Sequence, residues 1–163
     1  MFNGDFELAP SGLPFDWSFT DGAGVTIRVG ERPDDDGGQA LLLDFVGGRV
    51  DQLGVSQLLV LSPGRYQFSG KYDADVVSQR GLQWRITCKG KAPVQVAESP
   101  LVKGSKAGWQ DFSVSFAIPE TDCAAQVVQL VFDARWASEQ FISGSIWYDD
   151  LQIVREPKGD PQL

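Results

Sequence analysis

The sequence predicts an all-β fold, a jelly-roll β-sandwich of two antiparallel sheets. Three observations carry this. Apolar residues recur with a period of two in segment after segment, no stretch keeps a helical period over three turns, and the 18 glycines and 9 prolines are scattered as turn punctuation. About nine short strands at this spacing fit a sandwich or jelly roll.

Residues 25–29 alternate apolar and polar, and residues 40–46 form an apolar run broken only by Asp44. Residues 53–61 lead into Ser62-Pro63-Gly64, a turn in which proline sets φ and glycine permits φ > 0. Tyr66, Phe68, Gly70, Tyr72 and Ala74 then share one face, the mark of a half-buried strand. Leu82, Trp84, Ile86 and Cys88 repeat the pattern, followed by a short strand at 94–98. Phe112, Val114, Phe116 and Ile118 alternate up to Pro119, and Val128, Leu130, Phe132 and Ala134 do the same. Residues 146–154 close a single domain, residues 1–155, and the polar stretch 156–163 reads as a flexible C-terminal tail.

The 163 residues and 42% apolar content suit one folded unit with a continuous core. A net charge of −8 argues against nucleic acid and against anionic membranes, which both select a basic face, but not against neutral glycans. No apolar run is long enough for a spanning helix, so no membrane insertion is expected. A secretory leader is not seen, and Met1 directly before the first motif reads as a start joined to an excised domain, which leaves native export open.

Histidine is absent, which removes the usual nucleophile–base pairs and the usual zinc set. Paired carboxylates for glycoside hydrolysis are the remaining catalytic option, at 34–36 or Asp149-Asp150. The first of these reads as a solvated turn, and the chain is expected not to be an enzyme. Cys88 ends one apolar strand and Cys123 precedes another. If those strand ends meet, a disulfide would close a loop of about 35 residues and point to an oxidising compartment. Two free buried thiols are the alternative.

Carboxylates mark both ends of the chain, in Asn3-Gly4-Asp5-Phe6-Glu7 and in Trp147-Tyr148-Asp149-Asp150-Leu151. Asp149 shares parity with Leu151 and Ile153 and is expected to point inward at the rim of the core, where a carboxylate needs a partner. Calcium takes six to eight oxygens at flexible geometry. Asp5, Glu7 and Asp149 are therefore the candidate ligands of a structural calcium clamping the termini, provided the first and last strands are neighbours. Satisfaction by backbone N–H groups and solvent is the other possibility.

The opening motif followed by Trp17, the stretch from Gln57 to Tyr66 with its Ser-Pro-Gly turn, Trp109-Gln110-Asp111-Phe112, and residues 144–153 together resemble the xylan- and glucan-binding carbohydrate-binding modules of the galactose-binding-like β-sandwich superfamily. In that resemblance Glu7 and Asp149 correspond to common calcium ligands. It implies a non-catalytic module that binds a polysaccharide or oligosaccharide on one sheet face and adjoining loops, as part of a larger secreted, periplasmic or cell-surface bacterial protein, and as a monomer. A weaker similarity, to C-terminal domains of exported bacterial tetratricopeptide-repeat proteins, suggests instead a structural or protein-interaction module with no glycan site.

Parity assigns outward-facing residues. Opposite the core positions lie Lys71 and Asp73, Gln83 and Arg85, and Asp133 and Arg135, a mixture that suits hydroxyl-rich ligands because each group donates or accepts in a fixed direction. Of the five tryptophans, Trp17, Trp84 and Trp109 are expected in the core, and Trp147 buried near the clamp. Trp136, at a strand end before a polar loop, is the expected exposed platform for a sugar ring.

Overall fold

The computed structural model describes residues 1–34 and 36–157. Its strands are β1 (Ser18–Thr20), β2 (Val25–Glu31), β3 (Gln39–Arg49), β4 (Gly54–Leu59), β5 (Gly64–Ser78), β6 (Leu82–Lys89), β7 (Val94–Glu98), β8 (Gln110–Ile118), β9 (Ala125–Phe132) and β10 (Phe141–Arg155). A single 3₁₀ turn, Ala137–Glu139, precedes β10. The strands form two five-stranded sheets, β1-β4-β9-β6-β7 and β2-β3-β10-β5-β8, and every pairing is antiparallel. This is the jelly-roll sandwich that the alternation predicts.

The core lies between the sheets. Trp84 on β6 reaches across to Tyr148 on β10 and Phe68 on β5, with ring centroids 5.2 and 6.3 Å apart, and touches Trp17 at 5.7 Å. Edge-on contacts of this kind suit the aromatic quadrupole and lock the two layers in register. Trp17 and Trp84 are thus core residues, as expected. The Ser62-Pro63-Gly64 turn is held by the Tyr66 hydroxyl, which donates to the Ser62 carbonyl at 2.8 Å.

The N-terminal motif is resolved residue by residue. The Asn3 side chain both accepts from and donates to the Leu8 backbone, closing a loop. Phe6 is buried in the core. The Gln57 amide exchanges two hydrogen bonds with the Phe2 backbone, at 3.0 and 2.8 Å, and so holds the chain start against β4. The Leu151 N–H on β10 donates to the Gly4 carbonyl at 2.9 Å. A Cβ at Gly4 would collide with the Leu151 carbonyl, so only glycine allows this approach. The first and last segments are therefore neighbours. Just inside, the Asp16 carboxylate is buried and accepts from the Ser11 N–H and hydroxyl and from the Trp17 N–H, and these bonds outweigh burial and lower its pKa.

At the other end, Glu156 is held by three bonds: its N–H to the Arg65 carbonyl, and its carboxylate to Arg65 and Ser115. Residues 158–163 of the expected tail, and Asp35 of the acidic turn, lie outside the described residues.

Cys88 and Cys123 form a disulfide across a sequence separation of 35, which fits an oxidising environment. Replacing both cysteines with serine should lower the unfolding free energy by roughly 3–4 kcal/mol, read from urea titrations followed by tryptophan fluorescence.

Candidate functional site

Two sheets offer two outer faces, and the expected sugar contacts divide between them. Lys71 and Asp73 are on β5, in the sheet that contains β10. Gln83 and Arg85 are on β6 and Asp133 follows β9, in the opposite sheet. One glycan chain on one face cannot contact both groups, which corrects the single set assembled from parity. Period two separates inside from outside but does not say which outside.

The β6–β9 face is committed to its own contacts. Gln83 is 6% exposed rather than open: it donates to the Ser99 carbonyl and accepts from Arg85. Asp133 is bridged by Arg80 at 2.8 Å and Arg85 at 3.1 Å, and Arg80 also approaches Glu139 at 3.6 Å. Glu139 in turn accepts from the Arg135 N–H, which fixes the loop to β10. On that loop Trp136 is 71% exposed, as expected of a platform.

The other face is built differently. On β3, Leu41, Leu43 and Phe45 enter the core, while Ala40 and Leu42 point outward yet are buried. They lie beneath side chains of their neighbours: Leu42 pairs with Trp147 on one side and Arg28 on the other. Trp147 is half-buried on this outer face, its ring edge 3.8 Å from the position of a Cβ on Gly30, so it is not in a buried clamp as expected. Asp73 pairs with Trp147, and the next row is Asp44, Ser145 and Asp75. Burial, and then the nearby Asp34 and Asp75 carboxylates, push the Asp73 pKa up. Farther along, a cleft of about 870 Å³ is lined by Asp5, Gln67, Lys71, Asp111, Asp150 and Gln152. Lys71 pairs with Asp150 at 3.0 Å, a contact that raises its pKa.

Asp149 is where parity fails. The register shifts between Asp149 and Gln152, and Asp150 has a φ of 51°. This bulge inserts a residue, so Tyr148 and Leu151 both enter the core and Asp149 leaves on the side of Trp147. It is 3% exposed there. One carboxylate oxygen accepts from the Asp150 N–H and the other from Arg32 at 2.8 Å. Burial pushes its pKa up to about 6, against the pull of those two donors.

Arg32 also grips Asp34 with two N–H groups, at 3.0 and 2.7 Å, and its guanidinium lies 4.7 Å from the ring centre of Trp109. The Arg32 hydrogen bond holds the Asp34 carboxyl below its ordinary pKa. Trp109 is half-buried and outside the core cluster, contrary to expectation. Its buried indole N–H lies close enough to Asp34 to help hold that carboxyl low, and it has no other hydrogen-bond partner among the described residues. Glu7 reaches the same hairpin from the N-terminal side, accepting from the Gln39 N–H at 2.8 Å. Gly38 leaves the room: a Cβ there would lie 2.6 Å from the Glu7 carboxylate.

The expected calcium ligands do not fit a shared ion. Glu7 and both oxygens of Asp149 have protein donors, and Asp5 faces the cleft beside Asp150. Among the described residues, no group of three or more carboxylate, His or Cys side chains is arranged to hold a metal.

No protein-family model matches the chain. No curated protein matches it either. Solved structures do. A CBM4 module superposes with a TM-score of 0.64 at 17% identity, covering 94% of this chain and 98% of its own. A putative sugar binding protein from Bacteroides thetaiotaomicron gives 0.67 at 10% identity, with the same coverage of both chains. The CBM22-2 xylan-binding domain of Paenibacillus barcinonensis Xyn10C gives 0.63 at 12% identity, again over 94% and 98%. The chain therefore has the β-sandwich fold found in carbohydrate-binding modules. The likeness to tetratricopeptide-protein domains has no counterpart among these three structures.

The Asp133 network yields a direct check. Asp133→Ala leaves two arginines without their shared acceptor and should cost about 1–3 kcal/mol, measured by thermal denaturation.

Proposed function

We propose that this domain binds a carbohydrate chain, without catalysis, on the outer face of the β2-β3-β10-β5-β8 sheet. One observation carries the reading: that face sets the half-buried Trp147 indole among Arg28, Asp44, Asp73 and Asp75, and continues into a polar cleft around Lys71. An indole face offers apolar surface to the C–H side of a sugar ring, and the flanking groups donate to or accept from its hydroxyls. Asp73 and Asp75 make no ion pair among the described residues, and Asp75 accepts from the Ser105 hydroxyl at 2.6 Å with one oxygen only, which leaves acceptors on this face for a ligand. Lys71 and Asp73 from the sequence-derived set belong to this face. The CBM4 and CBM22 folds support the class of ligand, and the disulfide supports export as part of a larger extracellular protein.

A second placement has its own observation. Trp136 stands 71% exposed on the β9–β10 loop beside Arg135. An interaction module is the alternative function, favoured by Val46, Val77 and Phe141, which are 77%, 73% and 53% exposed at one end of the β2–β8 face.

Affinity electrophoresis in gels containing xylan, mixed-linkage glucan or mannan separates these readings. Trp147→Ala should weaken retention about tenfold, the loss of one anchor worth about 1.4 kcal/mol, while the melting temperature stays within a few degrees. Trp136→Ala should leave retention unchanged. Loss with Trp136→Ala alone would move the site to the loop, and no retention of the wild type on any glycan would favour the interaction module.

A further inference from the structure

We infer that the Arg32 guanidinium does the work of a structural cation where the two terminal segments meet, and that in doing so it orients Trp109 on the outer sheet face. The second half rests on the glycan-face reading above, and the first half does not.

The charges to be neutralised are real. Asp34 and Asp149 sit on opposite sides of the guanidinium, and Glu7 and Asp150 are close enough to act on the Asp149 carboxyl. The arginine side chain is 14% exposed, and its partners Asp149 and Asp34 are 4% and 27% exposed. Three of its donors are used, two on Asp34 and one on Asp149. Asp34 is in the turn after β2, Asp149 is at the β10 bulge, and Trp109 is at the entry to β8. One side chain thus joins three segments far apart in sequence.

A spherical ion could neutralise these carboxylates but could not also do the rest. Calcium asks for six to eight oxygens, and both Asp149 oxygens and one Glu7 oxygen already have N–H donors. A planar fork pairs two carboxylates along its edges and keeps its face for an aromatic ring. The 4.7 Å separation from Trp109 places that face in use. Trp109 precedes Asp111 and Ser113 on their outward parity, so the ring that Arg32 holds is a wall of the proposed sugar face.

The test has two arms on the intact domain. In the first, thermal melts of the wild type are run with EDTA and with millimolar calcium. The melting temperature should move by less than about 1 °C in either, and Arg32→Met should lower it by about 4–8 °C by leaving two carboxylates without their partner. A fall with EDTA that calcium reverses, or an Arg32→Met melt equal to wild type, would overturn the cation role. In the second arm, Arg32→Lys keeps the charge but loses the stacking plane. Retention on the gel that binds wild type should drop about three- to tenfold, and the same change made in a Trp109→Ala background should cause no further loss. Equal losses in both backgrounds would overturn the orienting role. If wild type binds no glycan, the sugar-face reading fails while the first arm still decides the cation role. If Arg32→Met does not fold, Arg32→Lys takes its place in the same melts: a fall in melting temperature that calcium does not reverse supports the cation role, and a melt equal to wild type or a fall that calcium reverses opposes it.

Discussion

The sandwich depends on how one open strand edge is covered. β10 runs for 15 residues, but β3 accompanies it only as far as the Tyr148–Leu41 pair. Beyond that point the edge of β10 would present unpaired backbone groups. The N-terminal segment takes the vacant place: Gly4 accepts from Leu151, Phe6 fills the core beneath, and Glu7 fastens the segment to the first residue of β3. The hydrogen bond itself is worth only about 1 kcal/mol net. Its value lies in registering the bonds around it, because Gln57, Trp17 and Asn3 all bond backbone within the same segment.

The β10 bulge follows from the same geometry. A strand that changes neighbours partway must reset its pleat, and the extra residue at Asp149-Asp150 does so. The reset carries Asp149 out of the core side and into contact with Arg32. That contact closes the β2–β3 hairpin over the sheet and, through the guanidinium face, holds Trp109 at its border. Structure and proposed recognition are thus coupled at one strand. The face that would meet a sugar is organised by the same bulge that lets the chain ends meet.

Much of this is legible from residues alone. Alternation locates β2, β5, β6, β8 and β9, because burying one face requires it, whereas β3 reads as an apolar run because both of its faces are covered there. The Cys88–Cys123 pairing is one of two options that the strand ends allow, and the adjacency of the terminal motifs is suggested by carboxylates at both ends, although the partner of Asp149 is Arg32 rather than the opening motif. Other features escape for definite reasons. β1 is three residues long, too short for any period to register. Parity counted from Ile153 back to Asp149 is right for an unbroken strand and inverted by a bulge, which no local composition announces. Trp109 lies in a packing position by motif, but its placement depends on Arg32, 77 positions earlier in the chain. Arg32 and Asp149 are 117 residues apart, so the partner of the buried carboxylate belongs to tertiary structure. Assignment of Lys71 and Gln83 to opposite faces is likewise a matter of sheet order, β10-β5-β8 against β9-β6-β7.

The claim that the first segment completes the edge of β10 is tested most directly by amide hydrogen exchange at Leu151. With Gly4 as its acceptor, the Leu151 N–H should exchange slowly, on the scale of the β5–β10 amides, and a chain lacking residues 1–7 should lose that protection while keeping it at Ile146 and Tyr148. Exchange of Leu151 at the rate of an open amide in the full-length chain would contradict the account.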